Sequence, residues 1–452
     1  MSFMFKPGNT IKLEITDFAA GGVGLAKKNG FPIFVEGSAI GDVILAEITF
    51  AKKDFAEAKI KELITPSKDR CKPRCKHFPD CGGCSLQHIS YEAQVDYKHR
   101  IISDTLSRTA KIDPSLILPM IPASSPWFYR NKIQLPFKRL KRDILMGYFK
   151  PGTHQVVDMD VCFVQEEELT RIARVIRGII REFEVSIYDE DKRIGILRHL
   201  VVRGSNATGE MLVGFIINAK NLPFEKEIVK KIRDRFKNVV GVLVSVHQAN
   251  TNVILGNKTK VIWGRDHYID QLGDFKFKVS FPSFYQVNSK QTEVLYDQIL
   301  KLAGLKSNDI VIDAYAGVGT IAAWVASRCK EVYGIEEIEE ACFDAEENMQ
   351  MNHIYNVKYG QGRVEEIFQE FKRLEIKSDV VILDPPRAGC SAEAIQSILK
   401  AKPKKIIYVS CAPPTLARDL KKFIDAGYTL KAVQPVDMFP HTPHIESVSL
   451  LC

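Results

Sequence analysis

The chain has 452 residues, 45% apolar and 26% charged, with a net charge of +8 and a sequence pI near 8.8. That length supports two or three domains with separate cores. No apolar run approaches the roughly 18 residues of a membrane span, which excludes an integral helical membrane protein. The mild basicity suits a polyanionic partner. The basic clusters at 138–142, 402–405 and 421–422 read, each taken alone, more simply as solvated faces. The first residues lack the layout of a signal peptide, so a cytoplasmic location is expected. In that compartment ten cysteines argue against a disulfide framework.

Residues 1–66 read as a small all-β unit. Ile11-Lys12-Leu13-Glu14-Ile15 alternates apolar and polar, Ala20–Gly24 is a turn cluster, and 31–35, 42–48 and 56–63 supply further strands. Short strands at this spacing predict a barrel of oligonucleotide-binding type. Residues 67–280 predict an α+β unit. It has helices at 91–108, 166–183 and 224–236, and hairpins at 147–158, 197–217 and 242–255. The helix near 90–110 is expected to pack on the C-terminal unit. From 281 to 452 short apolar strands (309–313, 331–336, 379–384, 405–410) alternate with helices, the pattern of a doubly wound parallel sheet.

Four cysteines lie between 71 and 84. Cys75, Cys81 and Cys84 are three close soft ligands, and Cys162 is the candidate for a fourth; Cys71 reads as a bystander. Zinc accepts four thiolates but usually takes them as two close pairs. Three clustered cysteines and one distant one fit a [4Fe–4S] cluster better. Nothing downstream needs electron transfer, so such a cluster would be structural.

Ile312–Thr320 carries a glycine loop between a strand and a helix, and Glu336 ends the next strand. There a carboxylate can accept both hydroxyls of a ribose. Asp384-Pro385-Pro386-Arg387 and Ser410-Cys411 end the two following strands. Ligands of such sheets sit at the carboxyl ends of strands, so these loops converge on one crevice. Glu446 follows Cys411 by 35 residues, in Asp437-Met438-Phe439-Pro440-His441-Thr442-Pro443-His444-Ile445-Glu446. A thiolate can add to carbon 6 of uracil and make carbon 5 nucleophilic, and a carboxylate can later remove the carbon 5 proton. An isolated cysteine at a strand end is more simply a buried thiol; the glycine loop upstream reverses that reading. Arg418 and Arg387 are candidates to favour the thiolate.

Both C-terminal segments resemble the signature of the RNA uridine-5-methyltransferases, roughly Ser-Cys-Asn-Pro-x-Thr-x-x-Arg-Asp followed by Asp-x-Phe-Pro-x-Thr-x-His-x-Glu. Ala412 departs from it, standing where the family usually has Asn. The resemblance implies an S-adenosylmethionine-dependent enzyme with Cys411 as nucleophile and Glu446 as base. Ser283-Phe284-Tyr285-Gln286-Val287-Asn288 matches a further family segment. By that resemblance Gln286, Tyr315, Glu336 and Asp384 contact the methyl donor, with Thr320 and Arg363 at more variable positions. Phe284 and Arg130 are taken as substrate contacts, Phe284 by stacking on a flipped uracil. Residues 1–66 resemble the TRAM domain, which implies a grip on the RNA backbone. Some family members carry a [4Fe–4S] cluster on the four cysteine positions. The implied architecture is a TRAM-like barrel, a central α+β domain with an iron–sulfur site, and a Rossmann-like methyltransferase domain. The implied partner is RNA, 23S rRNA ahead of tRNA, acted on by a monomer. A cytosine-5-methyltransferase, an amine methyltransferase working through the Asp384 loop, and a non-catalytic RNA-binding iron–sulfur protein are the alternatives.

Overall fold

The computed structural model describes residues 5–141, 143–249, 251 and 253–452. The initial Met1–Met4 segment and Arg142 of the first basic cluster lie outside the described residues. The N-terminal unit is a six-stranded sheet of β1 (Thr10–Glu14), β2 (Asp17–Ala19), β3 (Val23–Lys28), β4 (Phe31–Glu36), β5 (Val43–Ala51) and β6 (Ala56–Thr65), in the order β1-β5-β6-β4-β3-β2. Alternation puts Leu13, Ile33, Val35, Ile44 and Ala46 into one small core, as a half-buried strand requires. Asp42 ties its exit to the rest of the chain: its carboxylate accepts from Ala39 and Ser67 backbone N–H and pairs with Arg70 at 2.7 Å.

Helix α1 (Tyr91–Ala110) starts at Ser90, whose hydroxyl accepts from Ala93 N–H, and stops at Lys111 in the left-handed region. Both are ordinary helix boundaries. Its apolar stripe of Ala93, Tyr97, Ile101, Ile102 and Leu106 shares a core with Leu416, Leu420 and Phe423 of the last helix of the chain. Each such fully buried leucine or isoleucine contributes about 1.5–3 kcal/mol.

The central sheet comprises β7 (Lys132–Leu140), β8 (Asp143–Phe149), β9 (Val156–Asp158), β10 (Leu197–Gly204), β11 (Met211–Ile217), β12 (Val239–Val246) and β13 (Lys258–Gly264), ordered β13-β12-β11-β10-β7-β8-β9. Helices α2 (Glu167–Glu182) and α3 (Glu225–Arg235) cover one face. The partner of β12 is 258–264, not the 251–255 segment expected from sequence. Gly256 is the reason. It donates to Ser245 Oγ at 3.0 Å, and a Cβ there would lie 1.7 Å from the Val246 carbonyl oxygen, so the chain crosses tightly before pairing begins. The hairpin β14 (His267–Leu272) and β15 (Phe275–Ser280) packs Tyr268, Phe277 and Val279 into the core of the C-terminal unit.

That unit alternates α4 (Ser289–Ala303), β16 (Ile310–Ala314), α5 (Thr320–Ala326), β17 (Glu331–Glu336), α6 (Glu339–Met351), β18 (Val357–Gln361), α7 (Val364–Arg373), β19 (Val380–Leu383), α8 (Ala392–Ala401), β20 (Lys405–Ser410), α9 (Pro413–Asp425), β21 (Leu430–Val436) and β22 (Glu446–Leu451). The sheet order is β18-β17-β16-β19-β20-β22-β21, with parallel pairing except at β22. Among the described residues no helix is long and apolar enough to cross a membrane.

Candidate active site

The reversed strand assembles the site. β22 runs antiparallel to β20 with Ser410 opposite Ser447, so the next pair outward is Cys411 and Glu446. A parallel strand would have carried Glu446 to the far end of the sheet. Ser410 Oγ accepts from Ala412 N–H at 3.2 Å, and Thr415 Oγ1 donates to the Ala412 and Arg387 carbonyls at 3.0 and 3.2 Å. These bonds lock the turn that presents Cys411 and join it to the loop after β19.

Glu446 is buried and Cys411 half-buried. Burial, helped by Glu446 and Asp384 and opposed by Arg387, pushes the thiol up to about 11. Burial, then Asp384, holds the Glu446 carboxyl well above the usual carboxylate range, again with Arg387 opposing. Arg387 is therefore the cation that faces both groups. Arg418, the other candidate, does not serve that role. Its Nε pairs with Asp419 at 2.8 Å and its Nη2 donates to Ala388 O at 2.9 Å, which fastens the 387–390 loop to α9. Asp419 also accepts from Tyr408 OH and Cys390 N–H, at 2.7 and 2.9 Å.

Beside this pair lies the glycine loop. Gly317 and Gly319 have φ of 55° and 84°, a region that favours glycine. A Cβ on Gly317 would meet only open space, whereas one on Gly319 would sit 2.4 Å from Tyr359 Oη. Glu336 accepts from Gly317 and Ile338 N–H, each at 2.9 Å, so its carboxylate is fixed at the end of β17. Asp313 is fully buried and pairs with no side chain among the described residues. Burial and the neighbouring Asp384 raise it well above its ordinary value. A buried carboxylate without a cationic partner, next to a second one at Asp384, would be relieved by a cationic ligand.

A family model described as tRNA (uracil-5-)-methyltransferase matches residues 91–452. The chain belongs to that family. A TRAM domain model matches 5–61. An uncharacterized RNA methyltransferase of Halalkalibacterium halodurans is 40% identical over 443 residues, covering 98% of this chain and 97% of its own length. One from Clostridium tetani is 40% identical over 446 residues, covering 99% and 97%. The crystal structure of Pyrococcus abyssi tRNA (uracil-54, C5)-methyltransferase with S-adenosyl-L-homocysteine superposes with a TM-score of 0.78 at 28% identity, covering 98% of this chain and 99% of that one. The fold is thus the mixed α/β fold of an S-adenosylmethionine-dependent uracil methyltransferase with an N-terminal TRAM domain.

For this uracil-5-methyltransferase family member, the remaining sequence candidates fall at four places. Gln286 is buried, and its carbonyl accepts from Asn131 Nδ2 at 3.0 Å. Tyr315 has φ of 70° and its side chain lies beside that of Cys390. Thr320 Oγ1 meets Tyr296 OH at 2.7 Å. Arg363 is exposed and pairs with Glu337 at 3.5 Å. Phe284 is 71% exposed, on a segment whose backbone is held by the buried Arg203, which donates to the carbonyls of Ser280, Phe281 and Ser283. Arg130 stands beside Tyr148 and Cys162 of the cysteine cavity and also bears on His444 of the Glu446 loop.

Sequence reasoning missed the residues that hold the Glu446 loop. Lys98 Nζ donates to Asp437 Oδ1 at 2.6 Å and to Phe439 O at 3.0 Å. Tyr91 OH donates to Asp437 Oδ2 at 2.9 Å. Gln94 accepts from His441 N–H at 3.0 Å, Tyr129 OH donates to Pro440 O at 3.0 Å, and Trp127 stacks on His441 with ring centroids 3.7 Å apart. The available signal was the i, i+3, i+7 run of polar residues Tyr91, Gln94 and Lys98 on an otherwise apolar stripe.

Ala412 is the N-cap of α9 and supplies no side-chain cap. An Asn can accept there from an early helical N–H. Ala412→Asn should therefore raise stability by about 1 kcal/mol, measured by denaturant titration. An unchanged midpoint would mean that Asn does not cap this helix.

Proposed function

We propose that the chain methylates carbon 5 of a uridine in structured RNA, with 23S rRNA as the target, through a covalent adduct on Cys411. The observation that carries this reading is the β20–β22 register, which sets Cys411 opposite Glu446 beside the glycine loop. Cys411 sulfur adds to carbon 6, and the electron pair moves to carbon 5 and the carbonyl. S-adenosylmethionine supplies an electrophilic methyl group to carbon 5. Glu446, by then ionised, takes the carbon 5 proton, the double bond reforms and the carbon–sulfur bond breaks. Arg387 stabilises both anionic forms. Gln286, Tyr315, Glu336 and Asp384, with Thr320, hold the donor, and Phe284 stacks on the flipped base. The test is methyl transfer from labelled donor to unmodified 23S rRNA and tRNA transcripts, with 5-methyluridine identified by mass spectrometry. A methylated amine in place of 5-methyluridine would overturn the reading. The tRNA reading is kept second because the Pyrococcus neighbour acts on tRNA uracil-54.

Burial pushes Asp384 up to about 6. A raised native value means that its contribution to stability is complete below the unfolded value, about 4, and fades as pH rises through about 6. Binding a cation beside it favours the carboxylate and reverses that trend. Affinity for sinefungin, whose amine is protonated, should rise between about pH 5 and about pH 7, while affinity for S-adenosylhomocysteine changes less. Calorimetric titrations should show that difference lost in Asp384→Asn.

Cys75, Cys81, Cys84 and Cys162 line one small enclosed cavity with His77, Tyr148 and Met159. Burial, with a smaller contribution from neighbouring thiols, pushes Cys81 up to about 11 and Cys84 up to about 12. Bound positive charge would relieve that repulsion. Among the described residues no group of three or more such side chains is arranged as a ready site for a metal ion; the preference for a cluster over zinc rests on the pattern of three close cysteines and one distant one. The donor set thus fits a [4Fe–4S] cluster with a structural role. Anaerobically purified protein should contain about four irons and four sulfides per chain, and Cys162→Ser should lose them. One zinc per chain and no sulfide would contradict this.

A further inference from the structure

Next to the Gln286 segment a groove of about 760 Å³ runs from Val287 over the central sheet, lined among others by Arg130, Lys132, Gln134, Phe149, Arg198 and His199. Lys132 and Gln134 alternate along β7, so their side chains share one face of the sheet, and Arg130 lies two residues before the strand. Asn131 donates from its N–H to Val287 O at 2.9 Å and from Nδ2 to Gln286 O at 3.0 Å. The groove wall and the Phe284–Gln286 segment are thus one rigid piece.

Its polar groups are built for a ligand. Arg198 is already neutralised by Glu190 at 3.1 Å. Lys132 makes no ion pair among the described residues, and burial together with Arg203 and Arg130 disfavours its charge. A lysine kept between two arginines without a carboxylate suits an incoming anion. His199 is 8% exposed, and its Nδ1 has no hydrogen-bond partner. Burial holds its ring neutral, so it can read a base edge. Phe149 packs edge-on to it at 6.5 Å and offers an aromatic face, as single-stranded nucleic acid sites do.

We propose that this groove is a second nucleotide site, which takes a nucleotide flanking the target uridine, with its phosphate on Lys132 and Arg130 and its base against Phe149 and His199. The inference rests on the reading of the chain as an RNA uridine methyltransferase. It adds a position at which the enzyme distinguishes its RNA by a neighbour of the methylated base.

The test uses the full chain and ten-nucleotide single-stranded RNAs of random sequence with one 5-iodouridine. Irradiation followed by peptide mass spectrometry should find crosslinks at Phe149 or His199. Lys132→Met should weaken binding of the same RNAs about tenfold and lower the slope of log affinity against log salt by about 1. Lys132→Arg should keep both, and unchanged S-adenosylhomocysteine affinity in both variants shows that the fold is intact. Crosslinks confined to Phe284, with affinity and salt slope unchanged in Lys132→Met, would overturn the proposal. Because the readout is binding, it is separate from catalysis: failure of the wild-type chain to form 5-methyluridine would remove the enzymatic reading while the groove is still scored.

Discussion

Cys411→Ala is expected to abolish methyl transfer, by on the order of 10⁴-fold or more in single-turnover experiments, because no other group activates carbon 5. The donor site should be untouched, since Glu336 is fixed by Gly317 and Ile338 backbone amides and not by the thiol. Glu446→Gln should behave differently. It leaves addition and methyl transfer possible and removes only the base, so turnover falls by about 10²–10⁴-fold while a methylated covalent complex accumulates. Denaturing gels separate the two variants: Cys411→Ala shows no adduct and Glu446→Gln shows a long-lived one. An enzyme methylating an exocyclic amine would retain activity in Cys411→Ala.

Lys98→Met should be the most destabilising single change near the site. Lys98 and Asp437 side chains are both 0% exposed and 2.6 Å apart. Replacing one partner leaves the other charge buried without compensation, which costs about 3–5 kcal/mol. The effect should also reach catalysis, because Asp437 anchors the loop that ends in Glu446. The double variant Lys98→Met with Asp437→Leu tests this division. Apolar packing should restore most of the stability but not the position of Pro440 and His441, so kcat should stay low while the denaturation midpoint recovers. Recovery of both would show that the pair acts on stability alone.

Strand alternation in 281–452 and the period-two pattern of 1–66 were legible because each element buries one face against one core. The Ser410-Cys411 turn was legible because it ends an apolar strand. The pairing of Cys411 with Glu446 was not a matter of local pattern. It depends on β22 entering the sheet antiparallel between β20 and β21, a tertiary choice that the intervening residues do not encode locally. Lys98 was missed for a related reason: a lysine within an amphipathic helix reads as a solvated position unless its partner, 339 residues away, is known to arrive. The Arg418 candidacy failed because proximity in sequence to Cys411 says nothing about where a long side chain points, and Asp419 captures it. Arg387, more distant in sequence, is brought in by the parallel pairing of β19 with β20.

The central claim is a covalent thiol mechanism at Cys411. Its most direct test is incubation of anaerobically purified protein with S-adenosylmethionine and RNA fragments carrying 5-fluorouridine, followed by denaturing electrophoresis and mass spectrometry. Fluorine cannot leave as a proton, so the complex should be trapped with the methyl group on carbon 5 and the Cys411 peptide bonded to carbon 6; the trapped fragment then identifies the RNA. Bound donor without any adduct on rRNA or tRNA fragments would contradict the mechanism.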